Sequence, residues 1–235
     1  MDREKLFEEF INECANKPLK FCGQGNPNAD ILIIGKESTD TSDTIESIIC
    51  RNIELCRNKM ERDAPRPIYP KNKTWANYQD LLDEIYNRKS DYDDKWDFEK
   101  YAFTTELSSI PRKKSNYSEA KPSIKDRLRF FEKSEFIKSF PVVILACGGY
   151  IKNNDKVREI DDTFHVEFDG EHKGRHKSEQ GKLWFTTHHS KSDARKLVIH
   201  TWQFSLGHTL PGEKEWLMDN LAAIIRDHLR KLGLI

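Results

Sequence analysis

The chain has 235 residues, 37% of them hydrophobic and 33% charged, and 39 Lys and Arg balance 39 Asp and Glu to a formal net charge of zero. That composition suits one well-buried core in a single domain of ordinary globular character, and bulk charge argues neither for nor against a nucleic-acid partner. No apolar run approaches the roughly 18 residues that span a bilayer, and MDREKLFEEF is an acidic amphipathic start rather than a secretory signal, so a monomeric cytosolic protein is expected.

Taken in chain order, residues 3 to 15 carry Leu6, Phe7, Phe10 and Ile11 on one helical stripe. A turn through Asn26, Pro27 and Asn28 leads into Ile31, Leu32, Ile33 and Ile34, a run that suits a strand covered on both faces. Thr44 to Cys56 reads as a capped helix, 61–74 as a proline-rich loop, and Trp75 to Tyr86 as a second helix. Tyr101 to Leu107 is β-prone, Ile110 to Ser123 a basic loop, and about Ile124 to Phe140 a helix. PVVILACGG is another buried strand ending in glycines; Phe164 to Phe168 and Leu183 to Thr187 are two more strands. Ser192 is a candidate cap for a helix containing Ala194, Leu197 and Val198, although VIHTWQFSL reads equally well as extended. The last element is an amphipathic helix after Pro211-Gly212. Helices alternating with buried strands predict an α/β fold, a three-layer α/β/α sandwich with a mostly parallel central sheet.

Charge is unevenly spread. From Arg112 to Lys138 there are nine Lys and Arg against four Asp and Glu, a pattern that makes a basic face on a neutral protein. The five cysteines, Cys14, Cys22, Cys50, Cys56 and Cys147, are odd in number and include no C-x-x-C pair, so free thiols are expected, with no metal site and no cofactor.

In parallel α/β sheets ligands bind where strands end at their carboxyl termini. Glu37 lies two residues past one such strand, beyond Gly35, whose missing side chain lets the backbone turn. Thr104, Thr105 and Glu106 leave a second strand; Thr186, Thr187, His188, His189 and Ser190 leave a third. A carboxylate, a hydrogen-bonding group and an imidazole are therefore expected in neighbouring loops.

Four segments in order carry a resemblance: FCGQGNPNADILIIGKES, YAFTTELSSIP, FIKSFPVVILACGG and FTTHHSKSDA. Together they resemble the uracil-DNA glycosylase superfamily, its family 4 type above all, over residues 20 to 230. The resemblance implies excision of uracil or another modified base that has been flipped out of DNA, which an enzyme needs because a stacked base cannot be enclosed. It implies Glu37 as the water-activating carboxylate and His188 as donor to the leaving base. Gly35, Lys36, Ser38, His189 and Ser190 would form the loops around the base. Thr105, with Glu106 as rival, falls where the family reads the base with Asn, and Trp75 or Tyr78 would supply an aromatic floor. Lys113, Lys114, Lys191 and Arg195 would contact DNA phosphate.

The sequence also departs from the family. Lys36 stands where family 4 has Glu, with the carboxylate one step later; Ser38 and His189 replace two prolines; and the cluster-binding C-x-x-C spacing is missing. Two other readings stay open: a DNA-binding protein that keeps the fold without the chemistry, and an N-glycosidase acting on a free nucleoside or nucleotide. Gln203 in HTWQFS is a further candidate, with Trp202 and Phe204 expected to pack in the core.

Overall fold

Apolar runs of four or five residues alternate with amphipathic helices, and the resulting architecture is a seven-stranded sheet between two helical layers. In a computed structural model, residues 2–39, 42–62, 64–69, 72–91, 93–114, 116–175, 180–191, 195–205 and 212–235 are described. The strands are β1 (Gln24–Gly25), β2 (Ile31–Gly35), β3 (Ala102–Glu106), β4 (Val142–Ala146), β5 (Val166–Arg175), β6 (Gln180–Ser190) and β7 (Leu197–Thr201). Their order across the sheet is β1-β3-β2-β4-β7-β6-β5. The four central strands, β3, β2, β4 and β7, are parallel; β1 on one flank and β6 on the other run antiparallel to them, and β5 pairs antiparallel with β6 at the far edge.

Side-chain alternation along the central strands sorts the core into two halves. Leu32, Ile34, Phe103, Val143, Leu145 and Val198 face one layer. That layer is built from α1 (Arg3–Ala15), α2 (Ile45–Arg57), α4 (Tyr117–Lys133) and α5 (Glu159–Phe164). Ile31, Ile33, Val142, Ile144, Leu197 and Ile199 face α3 (Lys73–Tyr86) and α6 (Glu213–Lys231). The first layer holds an aromatic cluster in which Phe136 touches Phe7, Phe10, Phe103 and Phe140 with ring centroids 5.0 to 5.2 Å apart. Burying each such ring is worth about 1.5–3 kcal/mol.

Several boundaries differ from the sequence reading. The helix expected from Ile124 begins at Tyr117, because Asn116 caps it by accepting from the Ser118 amide; Pro122 is carried inside it. That helix also stops earlier, and Ser134 recaps a separate turn at Glu135–Lys138. Leu197–Thr201 is a strand in the middle of the sheet, fully buried, so the extended reading of VIHT is the one the fold adopts. The helix cap at Ser192 and Ala194 lies outside the described residues. Among the described residues no helix is long and apolar enough to cross a membrane.

Candidate active site

The register of the parallel strands sets the site. Thr105, Ile34, Leu145 and His200 occupy one row across β3, β2, β4 and β7, and Glu106 pairs with Gly35 in the next. Beyond that row the chain leaves the sheet at its carboxyl edge. The segment after β3 then runs along the segment after β2: the Leu107, Ser108 and Arg112 amides donate to the Gly35, Lys36 and Ser38 carbonyls at 2.9, 2.7 and 2.8 Å. These bonds fix the peptide that carries Glu37.

Gly35 is needed for a steric reason. A Cβ at that position would stand 2.4 Å from Glu106 Oε2, so the bare glycine makes room for the Glu106 carboxyl across the end of β2. Glu37 is 8% exposed; its Oε1 accepts from the Tyr150 hydroxyl at 3.1 Å, and its Oε2 is buried without a hydrogen-bond partner. Glu106 Oε2 is likewise buried and unpartnered. Both carboxyls line one cavity of about 200 Å³, walled by Phe21, Trp75 and Tyr78, with Ser38, Asn72 and Thr104 adding polar atoms.

Two largely buried acids facing one small cavity do not both ionise easily. Burial, followed by the nearby Glu37 charge, pushes the Glu106 carboxyl up to about 8, with Arg127 opposing. Glu106 is therefore a neutral acid at pH 7, offering one O–H donor and one carbonyl acceptor. Burial pulls the Lys36 ammonium below its ordinary value, with Glu37 opposing; its Nζ lies 4.7 Å above the Tyr150 ring.

A test of stability against pH follows. Folded Glu106 keeps its proton up to about 8, whereas the unfolded chain releases it near 4.5, so between those values the native state holds the extra proton. Its contribution to stability is then present at low pH and lost as pH rises through that window. In urea titrations at pH 5 and pH 8.5, Glu106→Gln should flatten the decline seen in the parent. Equal declines in the two proteins would show that Glu106 titrates normally.

Sequence-predicted residues divide between two edges of the sheet. Gly35, Lys36, Glu37, Ser38, Trp75, Tyr78, Thr105 and Glu106 gather at the carboxyl edge. Thr105 is committed, since its hydroxyl donates to the Cys22 carbonyl at 2.8 Å and accepts from Arg127 Nη2 at 3.0 Å. Of the two rivals, Glu106 is thus the one with free hydrogen-bonding capacity. Lys113 and Lys114 are exposed just beyond Arg112, whose amide is bound to Ser38.

The expected meeting of Glu37 with the histidine pair does not occur. β6 runs antiparallel to β7, so His188, His189 and Ser190 lie beside Val198, Leu197 and Lys196 at the amino edge, with Lys191 and Arg195. His188 is fully buried; its Nδ1 is 2.6 Å from Asp161, and its Nε2 is 3.2 Å from Asn153 Nδ2 and 3.0 Å from the Thr186 hydroxyl. Both ring nitrogens are spent on this network, so it has none to offer a base. His189 Nδ1 sits 3.4 Å from Asp169, and Lys191 pairs with Glu167 at 2.9 Å.

Among the described residues, the imidazole near the carboxyl edge is instead His200, the penultimate residue of β7, before Thr201. Its Nε2 is 2.8 Å from the Gly148 carbonyl, its Nδ1 is buried without a partner, and burial lowers its pKa to about 4. His200 and Glu37 hold the same turn, Gly148–Tyr150, one through a carbonyl and the other through the Tyr150 hydroxyl. Tyr150 and Phe21 escaped the sequence reading; Tyr150 directly follows the glycines that end PVVILACGG, which was the available signal. Gln203 binds Ser205 at 2.7 Å, Phe204 is buried, and Trp202, expected in the core, is 44% exposed. Its neighbours Thr201 and Phe204 fill the buried positions, leaving the indole outside.

All five cysteines are free thiols, and no three His, Cys, Asp or Glu among the described residues are grouped to hold a metal ion. Compared with known proteins, the chain matches no family model and no curated sequence.

Proposed function

We propose that the carboxyl-edge cavity is the active site of a DNA N-glycosylase that excises uracil or another modified base, with Glu37 and Glu106 in separate roles and a uracil-DNA glycosylase-like fold around them. The observation that carries this reading is the pair of buried, unpartnered carboxyl oxygens in one aromatic-walled cavity of about 200 Å³. A planar base enters between aromatic walls only after leaving the stack, and unpairing costs a few kcal/mol that contacts to the flanking strand must offset. The exposed Trp202 indole and Lys113 and Lys114 suit such contacts, by stacking and by phosphate pairing respectively.

In the reaction the C1′–N bond breaks with its electron pair going to the base, while positive charge develops on the sugar. Glu37 Oε2 stabilises that charge and takes a proton from the water whose oxygen bonds to C1′; the departing base gains a proton from solvent or a site donor. Neutral Glu106 presents a donor beside an acceptor, complementary to a base edge with a carbonyl next to an N–H, such as the imide of uracil. His200 acts as a positioning residue, holding the turn from which Tyr150 reaches Glu37.

Incubating the purified protein with duplexes and single strands carrying a panel of modified bases should produce alkali-labile abasic sites. A folded, DNA-binding protein that leaves every lesion intact would exclude the enzyme. It would favour the non-catalytic DNA-binding reading, which one observation supports: no imidazole lines the cavity among the described residues. Base release from a mononucleotide but never from DNA would assign the same chemistry to a free nucleotide.

A further inference from the structure

A second hollow lies at the opposite, amino edge of the sheet and takes no part in the proposed reaction. It is a solvent-open groove of about 830 Å³, within the size range of small-molecule sites. Arg3, Lys138, Arg195, Lys196 and Lys231 line it, with Asp30 as the carboxylate among the lining residues. Ser139 and Ser190 add hydroxyls.

Lys196 is the telling residue. It directly precedes β7, its backbone amide is bound to the Ser190 hydroxyl at 3.3 Å, and its Nζ is sealed from solvent with no hydrogen-bond partner. A buried ammonium without an acceptor is costly. Its surroundings add to the cost. Arg3, already spent on the carbonyls of Asn28, Ala29 and Ser139, comes no closer than 3.9 Å to Asp30, and Lys138 is paired away with Glu135 at 2.9 Å.

We infer that this hollow is a binding site for a phosphate group of a nucleotide, pyrophosphate or nucleic-acid backbone, with Lys196 as its innermost ligand. Ammonium groups arranged around a hollow, rather than one flat guanidinium fork, suit a tetrahedral anion carrying more than one charge.

The site carries its own reporter. Burial first, then Lys138 and Arg3, lowers the Lys196 ammonium to about 8. The titratable and charged groups around it are Arg3 from α1, Asp30 before β2, Lys138, His165 before β5, Arg195, and His228 and Lys231 from α6. An arriving anion favours the charged amine, so binding at pH 8.5 must draw a proton from buffer.

Calorimetry with pyrophosphate, in two buffers of different ionisation enthalpy and corrected for the protons the ligand itself gives up, should record uptake of at least about half a proton per site at pH 8.5 and little at pH 6.5, where Lys196 is already charged. Lys196→Met should weaken binding at least tenfold and abolish the uptake; the exposed Lys231→Ala should weaken binding and keep it. Should Lys196→Met not fold, Lys231→Ala and the parent's proton count still decide the matter. A short blunt duplex that displaces pyrophosphate identifies nucleic-acid backbone as the source, and one that does not identifies a small phosphate. Binding with no proton uptake, or no binding of pyrophosphate or duplex to the parent hollow, overturns the inference. None of these readouts depends on base excision.

Discussion

Glu37→Gln is expected to lower base release by about 10²–10⁴-fold, the range for losing a positioned acid–base group, while leaving DNA affinity near that of the parent. The amide keeps an oxygen for the Tyr150 hydroxyl, so the Gly148–Tyr150 turn should hold its place. What disappears is the negative charge at Oε2 and its ability to accept a proton from water. A second effect accompanies the first. With the Glu37 charge gone, one of the two causes that raise Glu106 is removed and burial alone remains, so Glu106 should titrate at a lower pH than in the parent. Single-turnover base release and carbon-detected titration of Glu106 read the two effects separately. Unchanged release would remove Glu37 from the chemistry; an unmoved Glu106 would separate the two acids.

The largest stability loss is expected from Arg127→Ala, about 2–5 kcal/mol, the range for cutting a large buried side chain back to alanine and leaving its hydrogen-bond partners unpaired. Arg127 is 1% exposed and heads the fully buried side chains by size. Its Nε donates to the Glu106 carbonyl at 3.2 Å and its Nη2 to the Thr105 hydroxyl at 3.0 Å, so it ties α4 to the end of β3. The guanidinium also lies 4.4 Å from the Phe131 ring centroid. Truncation strips the Glu106 carbonyl and Thr105 hydroxyl of a donor and opens a void beside Phe131. Arg127→Met refills much of that volume and should recover part of the loss. The urea midpoints of the two variants measure the division. A cost below about 1 kcal/mol for Arg127→Ala would mean that the network contributes little.

Local pattern reached the strands that are buried on both faces. ILII and VVILA are continuous apolar runs bounded by turns, and the helical stripes of α1 and α6 repeat cleanly, so their types and positions were legible. Strand direction was not. LWFTTHHS and LVIHT are separated by six residues and look alike as apolar runs leading to histidine. Only the pairing shows that the first runs antiparallel and carries its histidines to the far edge, while the second supplies the fourth parallel strand. Period-two alternation also divides Thr105 from Glu106. They point to opposite faces of β3, so Thr105 meets Arg127 while Glu106 crosses the end of β2 toward the cavity. The hollow around Lys196 draws its lining from α1, α5, the end of β6, α6 and the segments that precede β2, β4 and β7, and no single segment announces it.

The backbone ladder that binds Leu107, Ser108 and Arg112 to Gly35, Lys36 and Ser38 sets a limit on how relatives of this chain can diverge. An insertion or deletion between Glu106 and Arg112 would slip one peptide past the other and swing Glu37 away from the Tyr150 hydroxyl and the cavity. Past Arg112, at the exposed Lys113 and Lys114, no backbone rung of this ladder continues among the described residues, and length there is free to drift. Homologues should therefore keep a constant count of residues from Glu106 to Arg112, even where the letters change, and show their gaps immediately afterwards.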